Sequence, residues 1–356
     1  MTGQGTPGQM LSLIGGAGQS TRAPRLRRAA TDGTMALAVG AAVLGGFGVE
    51  AIKSLVTDEA GGGVWWALAV VGLVLVALGW WLRLRVERPA RVGLVVVARD
   101  ARRGTAKADQ QDDAAQRYVT APDRFGWRVA TDLAGQAGVV ELIDRVAGQV
   151  HAGIVAARTL ARTETRIDLV AIVPLHAAFR LGARLGHSHA TEIVVHAARR
   201  VPEHGYFAAV PLAVRTSSFS PLVAEPMEVL PGGDPTHVAL AVNLQGLASF
   251  LAMVRDECRR AGVGGLLYLH SMDYLMSDER AFTGVVDQVC RVWQDAPLSD
   301  TARGGQHAIF LSGPVAVSLA LGARLAAADS ASWTAYTHDD ATKRYEPMPA
   351  GPVTAG

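Results

Sequence analysis

The hydrophobic positions fall into two unlike regimes. From Met35 to Val56, and again from Val64 to Leu82, the chain is almost wholly Ala, Val, Leu, Gly and Trp. Beyond residue 90, short apolar runs alternate with amphipathic stretches. Strand-like runs lie at Val92–Ala98, Leu169–Val173, Ile193–His196, Val238–Asn243, Leu266–His270, His307–Leu311 and Trp333–Tyr336. Helical patterns lie between them, from about Thr131 to Thr163, then Leu247–Ala261 and Glu279–Gln294. Near-continuous apolar strands separated by helices predict an α/β fold whose parallel sheet is covered on both faces.

The first regime predicts a two-helix membrane hairpin over 34–86. The second stretch carries no charge, and Trp65–Trp66 and Trp80–Trp81 bracket it about 22 Å apart along a helix. That approaches the separation of the two interfacial aromatic belts of a bilayer. The first stretch is short in uninterrupted apolar length and must take in Glu50 and Lys53 to cross. Glu50 then either forms an interfacial ion pair with Lys53 or lines something wet once several copies assemble. Ala36/Gly40, Ala38/Ala42, Ala41/Gly45 and Ala42/Gly46 supply small-xxx-small faces, suited to packing within the hairpin or between chains. Arg22, Arg25, Arg27 and Arg28 precede the first span, and Arg83, Arg85, Arg88 and Arg91 follow the second. The positive-inside rule therefore places both termini in the cytoplasm, in a two-pass arrangement. Residues 1–33 read as a disordered basic tail rather than a cleaved signal peptide, and Gly15–Gly18 in it has the spacing of neither common phosphate loop.

Composition changes this picture little. The 356 residues carry a formal net charge of +2, which is uninformative by itself, and no DNA partner is expected. Cys258 and Cys290 are the two cysteines, too few for a disulfide framework and in keeping with a reducing compartment. His187 and His189 lack a matching Cys or acid at ligand spacing, so no metal is expected. No GxSxG elbow and no Walker loop occurs, and no catalytic residue is assigned. Asp278 and Glu279 read as the N-terminal charges of a helix.

An internal repeat organises the second regime. Pro174 is followed seven residues later by Leu181-Gly182-Ala183-Arg184-Leu185, and Pro314 by Leu321-Gly322-Ala323-Arg324-Leu325, at an offset of 140 residues. Each proline closes an apolar strand, and the offset carries Ile193–His196 onto Trp333–Tyr336. Two Rossmann-like halves are predicted, 90–200 and 237–350, joined by a Pro-rich connecting segment over 201–236. Open α/β sheets bind ligands beyond the carboxyl ends of their strands, where helix N-termini offer N–H groups. Two such edges facing each other suit a cyclic molecule with repeated phosphates. Candidate contacts at strand ends are Ser312, Gly313, Pro314, Asn243, Gln245, His270 and Ser271, with His176 at the start of the first half's helix. Arg102 and Arg103 follow the first strand and lead into a charged linker holding Asp112 and Asp113.

The run His307-Ala308-Ile309-Phe310-Leu311-Ser312-Gly313-Pro314, the helix through Leu321-Gly322, the strand Trp333–Tyr336 and the closing Tyr345-Glu346-Pro347 resemble a SAVED domain, two fused CARF-like halves that sense cyclic oligonucleotides. With the hairpin in front, the chain resembles the transmembrane-SAVED effectors of CBASS anti-phage systems. The resemblance implies a cyclic di- or trinucleotide made by a partner CD-NTase as activating ligand, and no cofactor. It also implies self-association on binding, residence in the bacterial inner membrane, and disruption of that bilayer to arrest growth. Alternatives are a membrane-anchored Rossmann-like enzyme using a nucleotide, or a scaffold that recruits partners.

Overall fold

The computed structural model describes residues 11–14, 70–78, 80, 90–99, 105–120, 124–133, 138–160, 165–186, 192–199, 205–273, 275–339 and 341–348. The chain divides into one unit of 1–15 with 90–356 and another of 16–89. In the second unit, residues 70–78 and 80 are helical, with Val70, Val71, Leu73, Val74, Leu78 and Trp80 exposed. Among the described residues no helix is long and apolar enough to cross a membrane. The rest of the hairpin expected over 34–86, including Glu50, Trp65, Trp66 and Trp81, lies outside the described residues.

The first unit is a doubled α/β structure. Its first sheet has the order β1-β3-β2-β4-β5-β6, with β1 Leu11–Ile14, β2 Ala90–Arg99, β3 Arg124–Asp132, β4 Thr165–Ile172, β5 Glu192–Ala198 and β6 Tyr206–Pro211. Strands β2 to β5 run parallel to their neighbours, while β1 and β6 close the edges antiparallel. The second sheet has the order β13-β12-β11-β9-β10-β7, and β8 also pairs with β10. Its strands are β7 Leu222–Ala224, β8 Glu228–Val229, β9 Asp234–Asn243, β10 Val263–Ser271, β11 His307–Ser312, β12 Trp333–Asp339 and β13 Arg344–Pro347. Again the central four are parallel and the edges antiparallel. The register repeats as well as the order: Ile167 pairs with Ile193, and 140 residues later His307 pairs with Trp333.

Helices α1 Thr105–Val119, α2 Val139–Leu160 and α3 Leu175–Leu185 serve the first half. Helices α4 Phe250–Arg260, α5 Glu279–Asp295, the short α6 Asp300–Arg303 and α7 Val315–Leu325 serve the second. Period-two alternation explains the layers. In β2, Leu94, Val96 and Ala98 join one large core with α2, α3, α5 and α7, together with Leu240 and Val242 of β9. The intervening Val95 and Val97 face α1 with Ala115 and Val119. In the second sheet Ala239 and Ala241 turn outward to Phe250, Val254 and Cys258 of α4. Four helices are thus sandwiched between the sheets, and one helix covers each outer face.

The two halves meet where α3 crosses α7. A Cβ on Gly182 would lie 1.9 Å from the Leu319 carbonyl oxygen, and a Cβ on Gly322 would lie 1.9 Å from that of Phe179. The four positions are paired by the same 140-residue offset, so the contact is reciprocal and marks a pseudo-two-fold axis. The repeated Leu-Gly-Ala-Arg-Leu segment is therefore the joint itself: only glycine permits this approach of two helix backbones.

Several elements depart from the sequence reading. The segment holding Asp112 and Asp113 is not a charged linker but helix α1, whose inward stripe is Ala108, Asp112, Ala115 and Val119. The helix read from Thr131 begins at Val139, because 124–132 is strand β3. Strand β6 lies inside the expected connecting segment yet completes the first sheet, which carries that half past residue 200 to Pro211. Likewise β7, β8 and the start of β9 bring the second sheet into 222–236.

Candidate functional site

Parallel strands that end at matching positions place their last residues side by side. His270 of β10, Asn243 of β9 and Ser312 of β11 occupy one row across the carboxyl edge of the second sheet. Asn243 is buried and spoken for: its Oδ1 accepts from Leu247 N at 3.2 Å, and its Nδ2 donates to Leu247 O at 3.0 Å. It thereby shapes the loop 244–249, where Gly246 takes φ +65°. Gln245 is exposed on that loop, and Ser312 Oγ donates to its Oε1 at 3.3 Å. His270 stacks on Tyr268 at 5.2 Å and its Nε2 lies 3.2 Å from Glu225 Oε1. Ser271 is buried, its hydroxyl donating to the Asp273 carbonyl at 2.5 Å.

The strand–Pro–helix turns bring the two halves together beside this row. Pro174 and Pro314 both sit at extended ψ, 153° and 141°, immediately before α3 and α7. Ser318 Oγ donates across the axis to Leu175 O at 2.7 Å. Its counterpart by the 140-residue offset is Ala178, which cannot return the bond, so the pin runs one way. Gly313 passes close to Leu244: a Cβ there would lie 2.9 Å from Leu244 Cδ1. The space among Leu175, Leu244, Leu311, Gly313 and Val317 amounts to about 10 Å³, room for one water at most. The accessible rim of this edge is formed by Gln245, Gly246, Gly313 and His270.

The remaining candidates sort by position. His176, one residue into α3, is buried within the fold and is not part of the rim. Arg102 and Arg103 lie outside the described residues, as do His187 and His189. Among the described residues no group of His, Cys, Asp and Glu could hold a metal ion. Both cysteines are buried free thiols pushed up to about 12 by burial, which keeps them protonated and unreactive.

The halves differ most on their outer faces. Where the second half has Ala308 and Tyr336, the first has Asp168 and His196, 140 residues earlier. His196 Nε2 lies 2.9 Å from Asp168 Oδ1, and its Nδ1 lies 3.0 Å from the Tyr118 hydroxyl at the end of α1. Arg166 donates to the same Asp168 oxygen at 3.1 Å. Nearby, Asp112 of α1 receives two bonds from Arg128 of β3, at 2.6 and 3.2 Å. Burial works against ionisation of Asp112, but Arg128, Gln116 and Arg99 outweigh it and hold the carboxyl below its ordinary range. The opposite face is aromatic, with Phe310 stacked on Tyr336 at 4.5 Å and Tyr345 edge-on to Phe250 and Phe310. Sequence reading missed the polar network because its members sit on four separate elements; an acid and a histidine inside otherwise apolar strands were the available signal.

Searches of protein-family models and of curated proteins return no match. Among solved structures, the chain is similar to the Acinetobacter baumannii Cap4 SAVED/CARF-domain containing receptor with the cyclic trinucleotide 3'3'3'-cAAA. That similarity has a TM-score of 0.44 and 10% identity, over 81% of this chain and 59% of the receptor. The same receptor with 2'3'3'-cAAA gives 0.42 and 10%, over 81% and 58%. The Moraxella osloensis Cap4 SAVED/CARF-domain containing receptor gives 0.37 and 8%, over 81% and 57%. The chain spans less than two thirds of the length of each receptor.

Proposed function

We propose that this chain is a cyclic-oligonucleotide receptor of the SAVED type that acts at a membrane in CBASS-like defence. The observation that carries the reading is the doubled sheet, joined at Gly182 and Gly322, with the row His270–Asn243–Ser312 beside the paired strand–Pro–helix turns. A ring of nucleotides laid on that edge would meet the N-termini of α3 and α7, which attract phosphate, and the polar rim, which offers hydrogen bonds to bases and ribose.

The proposal extends to the segment 34–86, whose apolar composition and flanking arginines suit a two-pass anchor with the receptor in the cytoplasm. Ligand binding then gathers receptors, and the gathered hairpins disrupt the inner membrane. No chemistry is performed on the ligand. In this reading the cyclic nucleotide comes from a partner CD-NTase.

The test is a titration of the full chain in lipid nanodiscs against a panel of cyclic di- and trinucleotides, headed by the two cAAA isomers, with linear AAA as control. Micromolar or tighter binding of one cyclic compound is expected, with the compound recovered intact. Asn243→Ala should weaken it at least tenfold by releasing the rim loop. Binding of no cyclic compound, or equal binding of the linear one, overturns the receptor reading. Ligand-dependent dye release from liposomes carrying the chain tests the membrane step, and extraction from membranes by alkaline carbonate would overturn the anchor.

A further inference from the structure

A second polar opening lies away from the strand-end row. Arg215, Thr216 and Ser217, just after the first half ends, face Glu279, Arg280 and Thr283 in the first turns of α5 across a groove of about 310 Å³. Three features point to what it holds. First, α5 runs 17 residues, and its cap leaves donors open. The Asp278 carboxylate takes Ala281 N at 2.7 Å, whereas the first two N–H groups of the helix, those of Glu279 and Arg280, have no intrahelical acceptor by geometry. Second, two guanidinium groups border the groove. Arg215 Nη1 reaches Glu279 Oε1 at 3.2 Å, and Arg280 lies 5.7 Å from the Phe219 ring centroid. Third, Thr283 lines the groove, is only 7% exposed, and its hydroxyl has no hydrogen-bond partner. A buried hydroxyl without a partner is uncommon in folded proteins, and Thr283 is among the residues that line this groove.

We infer that this groove is a binding site for a phosphate-class oxyanion, seated on the N-terminus of α5 and bonded by the Thr283 hydroxyl and the Arg280 and Arg215 guanidinium groups. The chemistry is shared by free phosphate and by a phosphomonoester. Arginine presents planar donors matched to phosphate oxygens, and the helix terminus adds oriented N–H dipoles. The oxyanion displaces Glu279 from Arg215, and that carboxylate turns to solvent. Because Ser217 N is bonded to Asp287 Oδ2 of α5 at 3.0 Å and Leu222 is held by Gln288, the segment 215–222 is already fastened along the helix. An occupied groove tightens the fastening at its open end.

The experiment follows the thermal unfolding midpoint and calorimetric binding of the full chain in nanodiscs. It uses inorganic phosphate in one arm, adenosine 5′-monophosphate in a second, and sodium chloride at matched ionic strength in a third. Saturable stabilisation by phosphate alone identifies the free ion, whereas stabilisation by the monophosphate at tenfold lower concentration identifies an ester; either supports the site. Thr283→Val should raise the midpoint without added anion, because it removes an unpartnered hydroxyl, and should weaken the anion response at least tenfold. Arg280→Gln should weaken the response by a similar factor, while Gly148→Ala, remote on α2, should keep it. A response no larger than that of sodium chloride overturns the inference. So does a full response in Thr283→Val, which would place the anion elsewhere, such as the strand-end row.

Discussion

Replacing Gly182 by Ala tests the joint between the halves, and the sign of the result is decisive. Alanine in the interior of a helix is ordinarily favoured over glycine by about 1 kcal/mol. At Gly182 the new methyl would stand 1.9 Å from the Leu319 carbonyl oxygen, where a Cβ is essentially never nearer than 3.0 Å to a heavy atom. The helices would therefore have to open by at least about 1.1 Å, and the obstacle is backbone, which cannot rotate aside. Overpacking of this kind costs about 1–3 kcal/mol; at the upper end, set against the propensity gain, a net loss of about 2 kcal/mol is expected. Gly322→Ala should behave alike, since it meets the Phe179 carbonyl at the same distance. One opening relieves both clashes while each alanine keeps its propensity gain, so the double variant should lose about 1 kcal/mol rather than the summed 4, a coupling of about 3 kcal/mol. Gly148, in α2 with nothing within 4 Å of its would-be Cβ, serves as control and should gain about 1 kcal/mol as Ala. Guanidinium unfolding followed by tryptophan fluorescence reads all four, because Trp333 packs 5.6 Å from Phe179 at the crossing. Stabilisation by Gly182→Ala, or strict additivity in the double variant, would refute the reciprocal crossing.

Three other outcomes follow from the same structure. His307, boxed between Trp293 and Trp333, is pushed below its ordinary pKa by burial, and its Arg303 carbonyl bond only partly offsets this. The folded state thus resists protonation that the unfolded chain accepts. Stability should be full above about pH 6.5 and fall as pH drops below it, and His307→Phe should flatten the decline in thermal midpoint between pH 7.5 and 5.5. Asp168→Ala alone leaves His196 and Arg166 facing a void and should cost about 2–4 kcal/mol in urea unfolding, whereas adding His196→Tyr, the pair found in the second half, should recover part of it. Arg128→Met strips Asp112 of its two strongest bonds; hydrogen exchange of α1 should accelerate at least tenfold while that of α4, held by aromatic packing, stays unchanged.

The central strands were legible because they are buried on both faces, so Val92–Ala98 and Val238–Val242 are apolar without interruption. The repeat was legible as a string of identical residues, but its reason was not: sequence shows Gly182 and Gly322, and only the crossing shows that each faces the other half's backbone. Strand β3 was hidden because Arg124, Arg128 and Asp132 break its apolar pattern, and Arg128 is tolerated there only because Asp112 neutralises it from α1. That helix was hidden by its charge, although Ala108, Asp112, Ala115 and Val119 at spacings of four, three and four carry its inward stripe. Strand-end reasoning brought His270, Asn243 and Ser312 together in one row, since parallel strands of matched register end abreast. It could not foresee that Asn243 spends its hydrogen bonds on its own loop or that His176 turns inward. The groove beside α5 escaped because Asp278 and Glu279 account for a helix start, and nothing in their spacing discloses the arginine and hydroxyls that the chain brings back from 215–217.

Fusing both partners of a symmetric joint into one polypeptide has a lasting effect on how each can change. In a homodimer every substitution appears twice, on both sides at once. Here the glycines remain bound to each other's tolerance, yet Ser318 could acquire a hydroxyl without Ala178 doing so, and one outer face could turn ionic while its twin stayed aromatic. A molecule with such a joint keeps a matched centre and free margins, so differences between the halves gather away from the crossing.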